Sequence, residues 1–245
     1  MSGCDIKQFL YYFSNPKNKT HSLGSPKDST AFVELSKKHI KGESFAWGKA
    51  VVTVDAPAEI VLAWLFDYCS NERNSVSHSA EEREVINAVS PVCLQFSTVK
   101  RFPWPLAARQ FISETCWSKL EDGSFVVTNN PCENNVYKDN HKMRLVRGEA
   151  RGLCIIQNVG LHQCQLTIFH NMMLNGNITG RVMDALIPRS LKSASQVRET
   201  FARDDEIDRK DRKALKTIMS SDNELYSNEE LECVEKIKKK VRSIL

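Results

Sequence analysis

Residues Lys100 to Ile112, KRFPWPLAARQFI, are the most informative stretch of this chain. Pro103 and Pro105 flank Trp104, and both lack the backbone N–H that a residue inside a sheet donates to its neighbour. The stretch then passes through Arg109 into apolar residues that begin a new strand. It therefore predicts a rigid crossing between two strands of one sheet, with Arg109 in a structural ion pair or a hydrogen bond to the crossing.

The residues before this crossing predict helices near the start of the chain, then a strand, and then a further helix. Asp28 and Ser29 can cap a helix over residues 30–40, and Gly48 to Val54 is rich in the Val and Thr typical of strands. Pro57 suits the first helical position of a second helix. That helix has apolar residues spaced by three and four, namely Ile60, Val61, Trp64, Leu65 and Tyr68. The polar residues 71–79 then predict a loop.

The region after residue 80 predicts strand after strand. Apolar residues alternate on both sides of a turn at Ser90-Pro91, and Asp122-Gly123 is a hairpin signal. Leu145-Val146 and Leu153 to Ile156 predict two further strands, separated by glycines. Leu161 to Leu174 predicts the last long strand, with Leu166, Ile168 and Met172 on one face.

The last third of the chain has helical periodicity. Apolar residues from Val182 to Phe201 predict a long helix that kinks or restarts at Pro188. A charged helix follows from Asp204, with Glu206 and Lys210 at salt-bridge spacing. A final helix from about Asn228 approaches a three-four repeat. Strands in succession with helices at both ends predict an α+β fold with an antiparallel sheet.

Composition excludes several functional classes. The net charge of +4 over 245 residues is too small and too mixed with acids to favour nucleic acid as a partner. None of the eight cysteines forms a C-x-x-C pair, so we expect no zinc site. His162 and His170 have no carboxylate or Cys at metal spacing. No signal segment begins the chain, and we expect a reducing, cytoplasmic location. No catalytic motif or cofactor-binding motif is present, so we expect neither enzyme activity nor a cofactor.

Several segments together resemble a known family. They are GKAVVTVDAPAEIVLAWLFDY from Gly48, PWPLAARQF from Pro103, EDGSFVVTNN from Glu121, LVRGEARGLCII from Leu145 and LTIFHNMMLNGNIT from Leu166. In this order they resemble the START family, the steroidogenic acute regulatory protein-related lipid transfer domains. The resemblance implies a helix-grip fold, in which a curved antiparallel sheet wraps a long C-terminal helix around an apolar cavity. It covers residues 45–205, with a helical and loop segment at 1–44 and a charged helical extension at 206–245.

The resemblance also implies a lipid ligand, transient contact with a membrane and a loop over the cavity mouth near residues 131–142. Where sterol-carrying members pair an acid with an arginine inside the cavity, this chain has Phe96 and Thr115 on inward faces. The family's Arg-Asp pair is Arg109-Gln110 here. The identity of the head group therefore cannot be transferred from the family.

The predicted cavity wall consists of inward residues of the strands and of the closing helix. The strand candidates are Leu94, Phe96, Phe111, Thr115 and Trp117, and the helix candidates are Leu191, Ala194, Val197 and Phe201. Each of these can equally be a plain core residue, because period alone does not distinguish a filled interior from a hollow one.

Three functions stay open at this point. The first is binding of a hydrophobic lipid for intracellular transfer or sensing. The second is a regulatory or adaptor module of a larger protein, with a protein partner on the C-terminal helix. The third is a helix-grip enzyme, which would need a set of His, Asp or Glu residues facing the cavity.

Overall fold

The computed structural model describes residues 20–24, 33–38, 46–76, 81–102, 106–132, 145–176, 178, 180–220, 232 and 236. The described strands are β1 (Thr20–Gly24), β2 (Glu34–Lys38), β3 (Trp47–Val54), β4 (Glu81–Ser90), β5 (Cys93–Lys100), β6 (Arg109–Lys119), β7 (Phe125–Pro131), β8 (Val146–Gly160) and β9 (Gln163–Met173). The described helices are α1 (Ala58–Phe66), α2 (Asn71–Val76), α3 (Gly180–Ser190), α4 (Ser193–Thr200) and α5 (Asp205–Ser220). The two prolines and the tryptophan of the predicted crossing lie outside these residues, as does most of the predicted mouth loop.

The described strands form one sheet of nine in the order β1-β2-β3-β9-β8-β7-β6-β5-β4. Neighbours in this order pair antiparallel, and three tight hairpins join β4 to β5, β6 to β7 and β8 to β9. Gly123 has a φ of 81° in the second hairpin, a conformation that a residue with a side chain rarely adopts. A short parallel pairing of β6 with β8 adds to this pattern. The predicted α+β helix-grip architecture is confirmed.

Helices α1, α3 and α4 pack on one face of this sheet, whose inward residues are apolar. Ala50, Val52 and Val54 alternate along β3 and join Val61 and Trp64 of α1 in the main core. Helix α3 packs tightly on β3, since a Cβ on Gly48 would lie 2.6 Å from Cγ2 of Ile187. The packing therefore depends on a residue without a side chain at this position of β3.

The region around residues 30–40 differs from its prediction. The expected helix is wrong, because residues 34–38 form β2, which pairs with β3 through Leu35↔Ala50 and Lys38↔Trp47. The segment before residue 45 thus contributes strands β1 and β2 to the sheet. Strand β3 provides hydrogen-bond partners for the backbone of residues 34–38, and this pairing outweighs the local helical pattern.

Three shorter predictions also need correction. Residues 71–76, predicted as loop, form α2. The two strands expected around Leu145 to Ile156 are one continuous strand, β8, because its glycines stay within the ladder. The closing helix does not restart at Pro188, which lies inside α3. The interruption comes at Leu191 and Lys192, just after the Ser190 hydroxyl donates to the carbonyl of Ile187 at 2.8 Å.

The chain divides into two compact units, residues 1–202 and 203–245. In the second unit, the Asp204 carboxylate accepts the backbone N–H of Ile207 at 2.8 Å and so caps α5. The predicted pair Glu206–Lys210 is present at 2.9 Å. The domain limits at residues 45 and 205 stay a prediction. None of the described helices is long and apolar enough to cross a membrane.

Candidate functional site

A pocket of about 680 Å³ lies between the sheet and the helices of the first unit. Its wall takes inward residues from β5, β6, β7, β8 and β9, together with residues from α3, α4 and the end of α1. The volume falls within the roughly 300–1,000 Å³ typical of small-molecule sites. The structure therefore leaves space on the sheet face that the sequence predicted to be inward.

Three of the predicted lining residues form part of the pocket wall: Phe96, Phe111 and Thr115. The resemblance described above predicts that Phe96 and Thr115 match the positions of the charged pair in sterol-carrying members, and this correspondence stays a prediction. Because neither side chain ionises, this pocket has no such pair at those positions. Contact of these three residues with a ligand stays a prediction.

The other six predicted residues are not part of the wall. Leu191, Ala194 and Val197 are buried in the main core, where α4 packs on β3 and α1, and Trp117 and Phe201 pack against that core. Leu94 is half-buried near the end of β5. The helix residues and Trp117 thus belong to the filled part of the interior, which the periodicity of the sequence cannot distinguish from the hollow part.

The aromatic part of the wall depends on close packing. Phe111 lies directly over Gly148, where a Cβ would be 2.5 Å from Cε1 of the ring. Phe96 contacts Tyr68, with ring centroids 4.7 Å apart. These two phenylalanines present hydrocarbon to the pocket from neighbouring strands.

On one side of the pocket, two arginine side chains stack on aromatic rings and donate to backbone carbonyls. The Arg73 guanidinium lies 3.8 Å from the ring centroid of Trp64 and donates to the Trp64 carbonyl at 3.0 Å, at the end of α1. Arg83 lies 4.3 Å from the ring centroid of Tyr68 and donates to its carbonyl at 3.3 Å. Positive charge next to the last carbonyls of a helix is favourable. Both arginines thus fix the α1 end of the wall.

A row of matched positions crosses the floor of the pocket, and of its members only Thr115 was among the predicted site residues. Thr115, Asn129, Gly152 and His170 occupy matched positions on β6, β7, β8 and β9. Directly paired residues share a sheet face, so all four point to the same side. The period-two pattern that places Leu166, Ile168 and Met172 on one face also places His170 on that face. This alternation is the feature of the sequence from which His170 could have been predicted as a site residue.

Two atoms of this row have no hydrogen-bond partner within the described part of the chain. They are Nδ1 of His170 and Oδ1 of Asn129, and both are buried. Asn129 uses its Nδ2 to donate to the carbonyl of Ala150 at 3.4 Å, and Thr115 donates to the carbonyl of Thr128 at 3.1 Å. Buried polar atoms without partners are uncommon in proteins and call for an explanation.

His170 is neutral at pH 7. Burial, and after it the positive charge of Lys100, lower the pKa of its imidazole from 6.5 to about 4. A neutral imidazole carries one N–H donor and one acceptor nitrogen. A second cavity of about 10 Å³ lies on the other side of His170, towards Met183 and Ile187 of α3.

Arg109 behaves as the sequence predicted. It is buried, and it donates to the Leu174 carbonyl at 3.2 Å and to the Ala107 carbonyl in the crossing. Burial lowers the pKa of its guanidinium. The expected hydrogen bond to the crossing is confirmed, and the residue ties the start of β6 to the end of β9.

One group of possible metal ligands occurs among the described residues: Cys93, Glu114 and Cys116. Cys93 and Cys116 are opposite each other on β5 and β6, and their sulfurs are bonded to one another. Glu114 accepts a hydrogen bond from Gln95 at 3.0 Å. A disulfide does not supply thiolates, so this group is a covalent link between strands. The sequence, which we interpreted as that of a protein with reduced cysteines, did not predict the link.

Sequence comparisons identify no relative. No protein-family model matches the chain. No curated protein matches it either.

Solved structures show the same fold. The chain is similar to human STARD10, with a TM-score of 0.66 and 18% identity over 82% of this chain and 81% of that one. It is similar to human StAR-related lipid transfer protein 5, with a TM-score of 0.63 and 16% identity over 83% and 97%. It is also similar to the lipid transfer and protein localization domain of human StarD13, with a TM-score of 0.62 and 18% identity over 82% and 97%. The chain therefore has the START-domain fold, as the sequence motifs indicated.

Proposed function

We propose that this protein binds a single lipid in the pocket and carries it between membranes or reports its presence. The observation that supports this most is the pocket of about 680 Å³ in a START-domain fold. Phe96, Phe111, Ile168 and Met172 give it hydrocarbon surface. Two of the similar structures, the StarD13 domain and StAR-related lipid transfer protein 5, are named for lipid transfer, and the proposal extends that property to this chain.

The size of the pocket limits the ligand. At about 30 Å³ for each group the size of a water molecule, 680 Å³ accommodates roughly twenty non-hydrogen atoms. Burial of roughly sixteen methylenes contributes on the order of 13 kcal/mol at about 0.8 kcal/mol each. If association costs about 5 kcal/mol, about 8 kcal/mol remains, which corresponds to a Kd of about 1 μM. Such an affinity suits a carrier that must also release its ligand.

Transfer requires transient contact with a membrane, and we include this contact and a cytoplasmic location in the proposal. Four cysteines among the described residues are free thiols, which supports a reducing compartment. The bond between Cys93 and Cys116 provides a direct check. Alkylation of the protein in intact cells, followed by mass analysis, would show whether this pair is reduced where the protein resides.

The test of binding fills the pocket. Ala150 lines the pocket from β8, and Ala150→Trp should place an indole in the space of the ligand. Gln157→Trp is the matched control, because Gln157 is exposed on the same strand. Lipid extracted from protein purified from cells is quantified by mass spectrometry, and transfer between vesicles is measured with a fluorescent lipid.

We expect bound lipid and transfer rate to fall at least about tenfold in Ala150→Trp and to stay unchanged in Gln157→Trp. Circular dichroism confirms that both variants are folded. Wild-type protein that carries no lipid from cells and takes none from vesicles would refute the proposed function.

A further inference from the structure

The row on the pocket floor suggests which kind of lipid head the pocket accepts, if the proposed function holds. Asn129 and His170 flank Gly152, where a Cβ would lie 3.5 Å from Cβ of Asn129 and 3.9 Å from Cδ2 of His170. Because Gly152 has no side chain, this part of the pocket floor is open. We propose that Asn129, Gly152 and His170 form a niche that binds a neutral hydroxyl group of the lipid.

The chemistry of the two unpartnered atoms selects a hydroxyl. Oδ1 of Asn129 is an amide oxygen and can only accept, and the bond from Nδ2 to the Ala150 carbonyl fixes which way round the amide lies. A ligand atom that satisfies it must donate a hydrogen. Nδ1 of neutral His170 donates or accepts according to its tautomer. A hydroxyl does both, whereas a phosphodiester or a carboxylate has no hydrogen to donate to Oδ1.

Both atoms are shielded in the empty pocket, so the two side chains must turn before a ligand reaches them. Cδ2 of His170 lies beside Gly152, and a turn of the ring by about 180° about its Cβ–Cγ bond, a torsion with a broad energy profile, brings Nδ1 to that place. The Asn129 amide is held by a bond of 3.4 Å from Nδ2 to the Ala150 carbonyl, so a tilt that keeps this bond is the movement that turns Oδ1 towards the niche. A hydroxyl in the niche would then satisfy atoms that are otherwise unpaired inside the protein.

Positive charge elsewhere in the wall favours a competing ligand class, an anionic lipid. Lys100 lies close enough to His170 to lower its pKa. Arg73 donates to the last carbonyls of α1, and Arg83 donates to the Tyr68 carbonyl just after that helix. Since both arginines already bind backbone carbonyls, we assign the ligand to the niche, and the experiment includes an anion as a probe.

The probes are 1-octadecanol, octadecane and octadecanoic acid, which share one chain length and fit the volume of roughly twenty atoms. Each is delivered in cyclodextrin to full-length protein, and the bound fraction after gel filtration is quantified by mass spectrometry. We expect wild type to bind the alcohol about tenfold more tightly than the alkane, and more tightly than the acid at pH 7.4.

Two variants remove the niche without changing its shape much: Asn129→Leu and His170→Phe. Each should reduce the alcohol affinity to within about twofold of the alkane affinity measured on the same variant, which serves as the internal reference. Thr98→Val is the matched control. Thr98 also carries an unpartnered hydroxyl in the wall, but it faces Phe111, four residues along β6 from Thr115 and so about 13 Å away.

The outcomes separate the inference from the proposed function. Wild type that binds none of the three probes overturns both. Wild type that binds alkane and alcohol equally, or the acid most tightly, overturns the niche and leaves lipid binding intact. Loss of alcohol preference in Thr98→Val, or its retention in both niche variants, also overturns the niche. If His170→Phe alone keeps the alcohol preference, the partner of Nδ1 is a water molecule in the 10 Å³ cavity, and the role of His170 in the niche is overturned.

Discussion

Replacement of Gly148 by alanine tests the packing that shapes the pocket wall. The new Cβ would lie 2.5, 2.9 and 3.0 Å from three atoms of the Phe111 ring. Ordinary contacts begin near 3.4 Å, so the ring must retreat by about 1 Å from a buried position. Insertion of one methyl group into a packed interior costs about 1–3 kcal/mol, and we expect that loss in the free energy of unfolding.

A double-mutant cycle identifies the cause of this loss. Phe111→Leu removes the ring atoms that would collide, so the second change should cost less in its presence. We expect a coupling of about 1 kcal/mol or more in Gly148→Ala/Phe111→Leu, measured by urea unfolding with tryptophan fluorescence. Gly160→Ala on the same strand is the control, because nothing lies within 4 Å of its Cβ, and it should change stability by less than about 0.5 kcal/mol.

Two results would refute this reasoning. The first is a Gly148→Ala protein as stable as wild type. The second is a cycle in which the two changes add within about 0.3–0.5 kcal/mol, because additivity of that quality is typical of residues that do not touch. Either result would mean that Phe111 does not lie over Gly148, and the wall described above would be wrong at this point.

Three further predictions concern charge and covalent structure. Arg73→Met should lower the free energy of unfolding by about 2–4 kcal/mol, because it removes a buried hydrogen bond to the Trp64 carbonyl and a contact with the Trp64 ring. The control Arg101→Met breaks an exposed ion pair with Glu82 and should lower it by less than about 1 kcal/mol. The folded-state pKa of His170, about 4, lies below its ordinary value of 6.5, so the unfolded chain binds more protons between these values and stability falls as the pH drops. Between pH 6.5 and pH 5 we expect the free energy of unfolding to fall by roughly 2 kcal/mol. His170→Phe should abolish this fall in urea titrations at both pH values. If the variant keeps the wild-type dependence of stability on pH, the imidazole is not buried in its neutral form. Cys116→Ser should lower stability by about 2–4 kcal/mol under oxidising conditions and by little in a reductant, and equal losses under both conditions would contradict the bond to Cys93.

Elements with a local signal were predictable. Strand β3, helix α1 and the β4–β5 and β6–β7 hairpins each follow from residues close together in the chain: alternating Val and Thr, a proline before a helical apolar face, and the turn residues Ser90-Pro91 and Asp122-Gly123. The turn between β8 and β9 was not predicted, because Leu161 was assigned to the last strand. The ordered motifs from residue 48 to residue 179 indicated the START-domain fold before any coordinates. The crossing motif indicated it as well, and Arg109 forms the hydrogen bond expected there.

Elements that depend on distant partners were not predictable. Residues 34–38 became a strand because β3 offered a paired edge, and Cys93 and Cys116 met because two strands brought them into register. The pocket shows the same limit. Periodicity assigned Phe111 and Val197 alike to the inward side, but only the packing of α4 on β3 shows that Val197 is buried in the core while Phe111 faces a space.

The sequence by itself thus indicated the α+β class, the inward faces of the strands from β3 onwards and the helical character of the segment that follows them, because those properties depend on the local period of apolar residues and on turn chemistry. Tertiary structure alone decided where the interior is filled, where it is hollow and which polar atoms border the hollow. The physical reason is that a cavity forms where two packed surfaces do not fit each other, and the residues of one surface alone do not show where that misfit occurs.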